Sequence, residues 1–124
     1  MLRLLLLATG LFVSAIGVVL LIRPDSYIAL YVLSYDPGMT FAARRLAPAI
    51  IGLGGVLLLA RTLPKGRFLS GLCLICGCAF LGVAATGVHA WLTDLAKPAI
   101  LVAAGIEGTI AAAFLTAAAQ MRTD

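Results

Sequence analysis

The sequence predicts an all-α integral membrane protein, a four-helix bundle with a short interfacial helix between its first and second spans. Two observations predict this fold class. Hydrophobic residues make up 63% of the 124-residue chain and charged residues only 11%, against about a quarter in soluble domains. The apolar residues also fall into four runs, each long enough to approach the thickness of a bilayer. The lipid bilayer is therefore the first partner that we expect.

The first span is expected at about 4–22. Its nineteen residues would rise about 28 Å as a helix, close to the hydrocarbon thickness of a bilayer. Pro24 ends the run, because proline lacks the amide hydrogen that a continuing helix needs. The start resembles a signal peptide, but no small-x-small cleavage site follows, so we expect the helix to be retained.

An interfacial helix is expected at about 24–35, within the same single transmembrane domain over 1–124. Tyrosines recur there every four residues and would line one helix face: Tyr27, Tyr31 and Tyr35. So short a segment cannot cross a bilayer, and tyrosine prefers the membrane–water boundary. A turn is expected at Asp36-Pro37-Gly38.

The remaining spans are expected at about 40–61, 68–91 and 98–119, followed by a polar tail, Arg122-Thr123-Asp124. Only fifteen uncharged residues separate Arg45 from Arg61, which is a rise of about 22 Å. Because this is too short for the hydrocarbon core, either Arg44 and Arg45 dip into the outer margin of the membrane or the bilayer thins there.

Positive charges favour cytoplasmic termini. Four spans put both ends of the chain on one side, which then carries five basic residues: Arg3, Arg61, Lys65, Arg67 and Arg122. The other side carries Arg23 and Lys97, together with Arg44 and Arg45 if those count as loop charges. The side with the termini thus has five basic residues against four, or against two, on the other side. By the positive-inside rule the side with more basic residues is cytoplasmic. Since the basic residues lie mostly at helix ends and in loops, the net charge of +4 does not indicate nucleic acid as a partner.

Small residues at helical spacing predict where the helices touch, because small side chains let backbones approach in lipid. On the first two spans these are Gly10, Ser14, Gly52 and Gly55. On the third span they are Gly71, Cys78, Gly82 and Ala85, in a row that leads to His89. On the fourth span they are Ala104, Gly108 and Ala112.

The three cysteines, Cys73, Cys76 and Cys78, lie together in the third span. Cys73 and Cys76 have the spacing of a metal or redox motif. That chemistry needs thiolates, which the interior of an apolar helix disfavours, and buried cysteine usually behaves as a small hydrophobic residue. We expect packing residues, with no metal, no cofactor and no catalytic residue. The alternative, a membrane thiol oxidoreductase, predicts labelling by a membrane-impermeant thiol reagent, and we expect none.

Glu107 is the most informative residue. It lies nine residues past Pro98, about 13 Å into the fourth span. A carboxylate at that depth should face the bundle interior with a partner or a bound proton. Arg45 and Arg44 are the candidate partners, because the planar guanidinium group can donate two parallel hydrogen bonds to a carboxylate.

Two interpretations of this candidate polar pocket stay open. In one, Glu107 and an arginine form a buried pair that sets helix order. In the other, they line an outward-facing pocket for a small ligand, ion or proton. His89 is expected at the outer boundary beside Trp91, either over this pocket or simply solvated. One acid and one base make a poor proton relay, and the chain lacks the broken, repeated helices of secondary transporters.

The stretch from Phe41 to Arg61, together with Ile106-Glu107-Gly108, resembles small bacterial DoxX-like membrane proteins and an allied four-helix family of unknown function. In such proteins an arginine opens the second helix and a glutamate lies within the fourth, which here match Arg45 (or Arg44) and Glu107. Pro48 and the double arginine depart from that pattern and leave open which arginine is equivalent. The resemblance implies a bacterial inner membrane, and at most an accessory role beside a redox complex.

The expected function is that of a non-enzymatic accessory or scaffold subunit, with a membrane-protein partner or a second copy of itself contacted inside the bilayer. The alternative is a small transporter or ligand-binding membrane protein that uses Glu107, Arg45 and His89.

Overall fold

The computed structural model describes residues 1–123, and every regular element in this range is a helix. The elements are α1 (Leu2–Ile22), α2 (Pro24–Ile28), α3 (Pro37–Ala60), α4 (Arg67–Leu92) and α5 (Ile100–Thr123). The four long helices each have the length and the apolar composition to cross a membrane. The predicted all-α membrane fold with four spanning helices is confirmed.

The chain divides into two compact units, one over residues 3–61 and the other from residue 62 on. The first unit contains α1, α2 and α3, and the second contains α4 and α5. The single domain predicted over 1–124 stays a prediction. Asp124, the last residue of the predicted polar tail, lies outside the described residues.

In the first unit, α1 and α3 run antiparallel and touch at glycines. A Cβ atom placed on Gly54 would lie 2.8 Å from the carbonyl oxygen of Gly10 and would overlap the hydroxyl of Ser14. Gly17 lies against Ile51 in the same way, since a Cβ atom placed on Gly17 would be only 2.6 Å from Cγ1 of Ile51. Because lipid gives helices no hydrophobic reason to associate, such close backbone contact is what holds a pair like this together.

In the second unit, α4 and α5 also run antiparallel, but larger side chains fill the space between them. Leu115 lies over Gly77, where an added Cβ would be 2.7 Å from its Cγ. The rings of Phe80 and Phe114 stack with centroids 6.3 Å apart and an interplanar angle of 8°. A hydrogen bond joins the helices, donated over 3.0 Å by the buried hydroxyl of Ser70 to the carbonyl oxygen of Ala118.

The interfacial helix is shorter than the predicted segment 24–35, because α2 ends at Ile28. Beyond it the amides of Leu30 and Tyr31 donate to carbonyl oxygens only three residues back, which is the tighter geometry that closes many helices. The aromatic and β-branched residues that follow have low helix propensity. The predicted tyrosine face survives in part, since Tyr27 and Tyr31 meet edge to face at 5.2 Å.

Two span boundaries also differ from the prediction. The expected turn at Asp36-Pro37-Gly38 is the start of α3, since the Asp36 carboxylate accepts a 2.6 Å hydrogen bond from the Gly38 amide and caps the helix. At the other end of the chain, α5 runs to Thr123 and not to 119. Polar residues end the apolar stretch there, but Gln, Met and Arg favour a helix as well as leucine does.

The predicted helix contacts are partly wrong. Gly10 and Ser14 do contact α3, and Ala104 is buried against α4 near Gly87. The other two members of the row predicted on the fourth span do not pack, since Gly108 has no atom within 4 Å of an added Cβ and Ala112 is exposed. The row on α4 from Gly71 to Ala85 was predicted to pack, yet Cys78, Gly82 and Ala85 are exposed. On α3 the contact is made by Gly54, whereas Gly52 and Gly55 have no atom within 4 Å of an added Cβ.

Candidate functional site

The position of Glu107 follows from the pairing of α4 with α5. Gly87 lies against Ile100 and Ala104, and Gly77 lies against Leu115. In an antiparallel pair the numbers of two facing residues have a nearly constant sum, which for these contacts is between 187 and 192. Position 107 therefore lies level with the α4 segment 80–85. The buried member of that segment is Ala84, which is only 7% exposed.

Glu107 lies on the face of α5 that packs against α4. Residues spaced by three and four positions along this face are buried: Ala104, Ala111, Phe114 and Ala118. Glu107 belongs to the same row and is itself half-buried. It is seven residues from Ile100, the start of α5, or about 11 Å along the axis. The carboxyl group thus lies about a third of the way along the span, among small side chains.

Within the described part of its own unit, residues 62–123, Glu107 forms no hydrogen bond and no ion pair. Ala84, Ala104 and Ala111, which lie level with it or one turn away, offer no polar side chain. A carboxyl group in such surroundings either binds a proton or attracts a cation, because apolar surroundings penalise an isolated negative charge.

The position of the two arginines follows from the pairing of α1 with α3. The contacts of Gly10, Gly17 and Gly54 define the register of this antiparallel pair. The numbers of two facing residues add up to between 64 and 68. Arg44 and Arg45 are therefore level with the last turn of α1 and with Arg23 just beyond it. Both arginines are exposed.

The two arginines lie on different faces of α3. The residues that contact α1 are Ala47, Ile51, Gly54 and Leu58, and Arg44 continues that row toward the start of the helix. Arg45 is about 100° around the helix and continues the row of Gly52 and Gly55. The ion pair predicted between Glu107 and one of these arginines stays a prediction, since Glu107 belongs to one unit and the arginines to the other.

His89 lies in the last turn of α4 and is exposed. It is five positions past Ala84, which places it about 140° around the helix from that residue. Its backbone carbonyl accepts a 2.9 Å hydrogen bond from the hydroxyl of Thr93. Within the second unit the structure therefore does not bring the His89 ring onto the α5-facing side, where Glu107 lies.

The cysteines occupy two faces of α4. Cys73 and Cys76 are buried, Cys78 is exposed, and all three are free thiols. Among residues 1–123, no three His, Cys, Asp or Glu side chains lie close enough together to hold a metal ion.

Comparison of the chain with family models, with curated proteins and with solved structures finds no match in any of the three. The resemblance to DoxX-like proteins stays a prediction on the residues that carry it.

The sequence-based site left out Arg23. The structure brings it level with Arg44 and Arg45, at the end of α1. The sequence did contain a sign of this arrangement. Arg23 directly follows the first apolar run, and Arg45 directly precedes the short uncharged run of the second span. Two antiparallel spans that start and end at arginines must place those arginines at one membrane boundary.

Proposed function

We propose that the protein is a non-enzymatic accessory or scaffold subunit of a membrane complex, which contacts its partners inside a bacterial inner membrane. The observation that supports this proposal is the contrast between two sets of helical glycines. Gly10, Gly17, Gly54 and Gly77 each bring a neighbouring helix within 3 Å of an added Cβ. Around six others, no atom apart from the nearby backbone of their own helix lies within 4 Å of an added Cβ: Gly52, Gly55, Gly71, Gly82, Gly105 and Gly108.

A glycine inside a helix destabilises it by about 1 kcal/mol relative to alanine. For the four packed glycines, close approach of a second helix offsets this loss. The six open glycines gain no such contact within their own unit. Their missing side chains leave shallow grooves on α3, α4 and α5, which suit helices supplied by another protein.

The proposal includes an orientation with both termini in the cytoplasm. The α1–α3 pairing supports counting Arg44 and Arg45 with Arg23, so the balance of basic residues is five against four in favour of that orientation.

Mass spectrometry of what co-purifies in mild detergent, at native abundance, tests the proposal. We expect a larger complex, and we expect Gly52→Leu/Gly55→Leu to release it, because leucine would fill the groove on α3. The double variant should still accumulate, since both positions are open. Leu53→Phe is the matched control, because Leu53 is an exposed position of α3 that lies about 100° around the helix from Gly52 and about 160° from Gly55. Recovery of the wild-type protein as a monodisperse monomer would contradict the proposal.

A second candidate function is a small transporter or ligand-binding membrane protein that uses Glu107, with Arg45 and His89. The half-buried carboxyl on the packed face of α5 favours it, because ionisable groups inside a membrane often mark ion or substrate pathways. In proteoliposomes, Glu107→Gln should then abolish a pH-dependent flux while Asp94→Asn, in the exposed turn after α4, leaves it unchanged.

The same substitutions separate transport from a structural role. If Glu107→Gln and Arg45→Gln each abolish accumulation of the protein, the pair sets helix order and does not transport. If both variants accumulate normally and no flux is lost, neither the pathway nor the pair exists.

A further inference from the structure

Three arginines gather at one end of the α1–α3 pair. Arg23 directly follows α1, and the pairing of the two helices puts Arg44 and Arg45 level with the last turn of α1. Arg44 lies on the row of α3 that faces α1, so it is the closer of the two to Arg23. The three positive charges therefore share one level of the first unit, where the chain leaves the apolar span.

The acids of this unit do not neutralise the cluster. They are Asp25 and Asp36. Asp36 accepts the Gly38 amide at the start of α3. Asp25 approaches only Arg23, at 3.8 Å between Oδ1 and Nε, and both side chains are more than half exposed. An exposed pair this long contributes little, and within residues 3–61 no carboxylate lies within ion-pair distance of Arg44 or Arg45.

The level of the cluster matches the level of lipid phosphates. α1 is a 21-residue apolar helix, long enough to cross a membrane, so its ends mark the two boundaries of the hydrocarbon core. Tyr27 and Tyr31 follow at the same end, and tyrosine concentrates beside the headgroups. An arginine fork fits two oxygens of a phosphate, and basic clusters at this depth bind anionic headgroups.

We propose that Arg44 and Arg23, with Arg45 beside them, bind the phosphate diester of an anionic phospholipid. The lipid site centres on Arg44, on the α1-facing side of α3, and on Arg23 at the end of α1, and only Arg45 continues the row of Gly52 and Gly55. It therefore goes beyond the scaffold function and does not depend on the partner that the scaffold contacts.

The test is lipid binding by the purified full chain in a neutral detergent, measured by native mass spectrometry. Phosphatidylglycerol should bind about tenfold more tightly than phosphatidylcholine, whose choline already compensates the phosphate charge. Arg44→Gln should weaken phosphatidylglycerol binding about tenfold, through loss of a two-bond charged contact. Arg67→Gln, an exposed arginine at the start of α4, is the matched control and should leave affinity within about twofold.

Asp25→Asn sharpens the test, since removal of the one carboxylate beside Arg23 should tighten phosphatidylglycerol binding by about twofold to threefold. Equal loss in Arg44→Gln and Arg67→Gln would overturn the site in favour of general attraction between charges. Equal affinity for the two lipids would also overturn it. Displacement of phosphatidylglycerol by millimolar inorganic phosphate, at constant ionic strength, would show that the ligand is free phosphate and not lipid.

If Arg44→Gln fails to accumulate, Arg44→Lys decides the question. Lysine keeps the charge but loses the planar fork, so affinity for phosphatidylglycerol should fall by about threefold. An unchanged affinity in that variant would overturn the two-bond contact between the Arg44 guanidinium group and the phosphate.

Discussion

The α1–α3 pair is joined by backbone contact at glycines, whereas the α4–α5 pair is filled by large side chains and carries a hydrogen bond between helices. At Gly54 an added Cβ would meet backbone atoms of Gly10 and Ser14 as well as the Ser14 hydroxyl. At Gly77 it would meet Cγ and Cδ2 of the Leu115 side chain first, and the Leu115 backbone nitrogen only at 3.2 Å. Backbone cannot move aside without separating the helices, but a leucine can change rotamer. The first pair should therefore be intolerant of added atoms, and the second should be sensitive to their removal.

The largest effect is expected from Gly54→Ala. The new methyl group must separate α1 from α3, and we expect the free energy of unfolding to fall by about 3 kcal/mol. Reversible unfolding in mixed dodecyl sulfate micelles measures it. Gly55→Ala is the matched control on the same helix. With no atom within 4 Å of its Cβ, it should leave stability unchanged or raise it by up to about 1 kcal/mol. Similar losses in both variants would show that the helices do not meet at Gly54.

A smaller loss is expected from Phe114→Ala, which removes the ring that stacks on Phe80. Phe114 is completely buried, and such truncations cost about 3–5 kcal/mol in soluble proteins. In lipid the transfer part of that loss largely disappears, because acyl chains solvate a phenyl ring as well as a protein core does. We therefore expect about 2 kcal/mol from lost packing, measured by the same unfolding assay.

Phe68→Ala is the control for that substitution. Phe68 lies on α4 but is 75% exposed, so its truncation should change stability by less than about 0.5 kcal/mol. If Phe68→Ala destabilises the protein as much as Phe114→Ala does, the stacked pair is not what fills the space between α4 and α5.

The contrast between the pairs also shows what a membrane sequence reveals and what it hides. Long apolar runs fix the existence of the four spans, and Pro24 fixes the end of the first. Helix faces are harder to assign. When a helix is apolar on all sides, no contrast between polar and apolar residues tells which side faces a neighbour. Gly52 and Gly55 offer a row of small residues as plausible as that of Gly54, and only the register with α1 distinguishes them.

The candidate site was predictable to a similar extent. Residue counting from Pro98 gives the position of Glu107 along its helix, and Glu107 does lie on a packed row of that helix. Arg44 and Arg45 were equivalent in the sequence, because adjacent residues differ by about 100° around a helix and nothing in the sequence fixes the rotation of α3. The packed row through Ala47 and Gly54 fixes that rotation and separates the two arginines.

The smallest effect in the comparison is expected from Ser70→Ala. The buried Ser70 hydroxyl of α4 donates a hydrogen bond to the carbonyl oxygen of Ala118 in α5. Hydrogen bonds between helices in membranes contribute about 0.6 kcal/mol on average, since the separated helices also find partners for their polar groups. We expect a loss of about that size in the unfolding assay. The carbonyl of Ala118 is left without this donor, but a helical carbonyl keeps its bond along the helix.

Thr116→Ala isolates the contribution of the bond between helices. The Thr116 hydroxyl donates over 2.8 Å to the carbonyl oxygen of Ala112 in its own helix, so its loss removes a hydroxyl from α5 without touching the contact with α4. Stability should stay within about 0.3 kcal/mol, or rise slightly because alanine favours a helix. A loss in Ser70→Ala as large as that in Phe114→Ala would reverse the comparison: the second pair would then depend on its hydrogen bond more than on its side-chain packing.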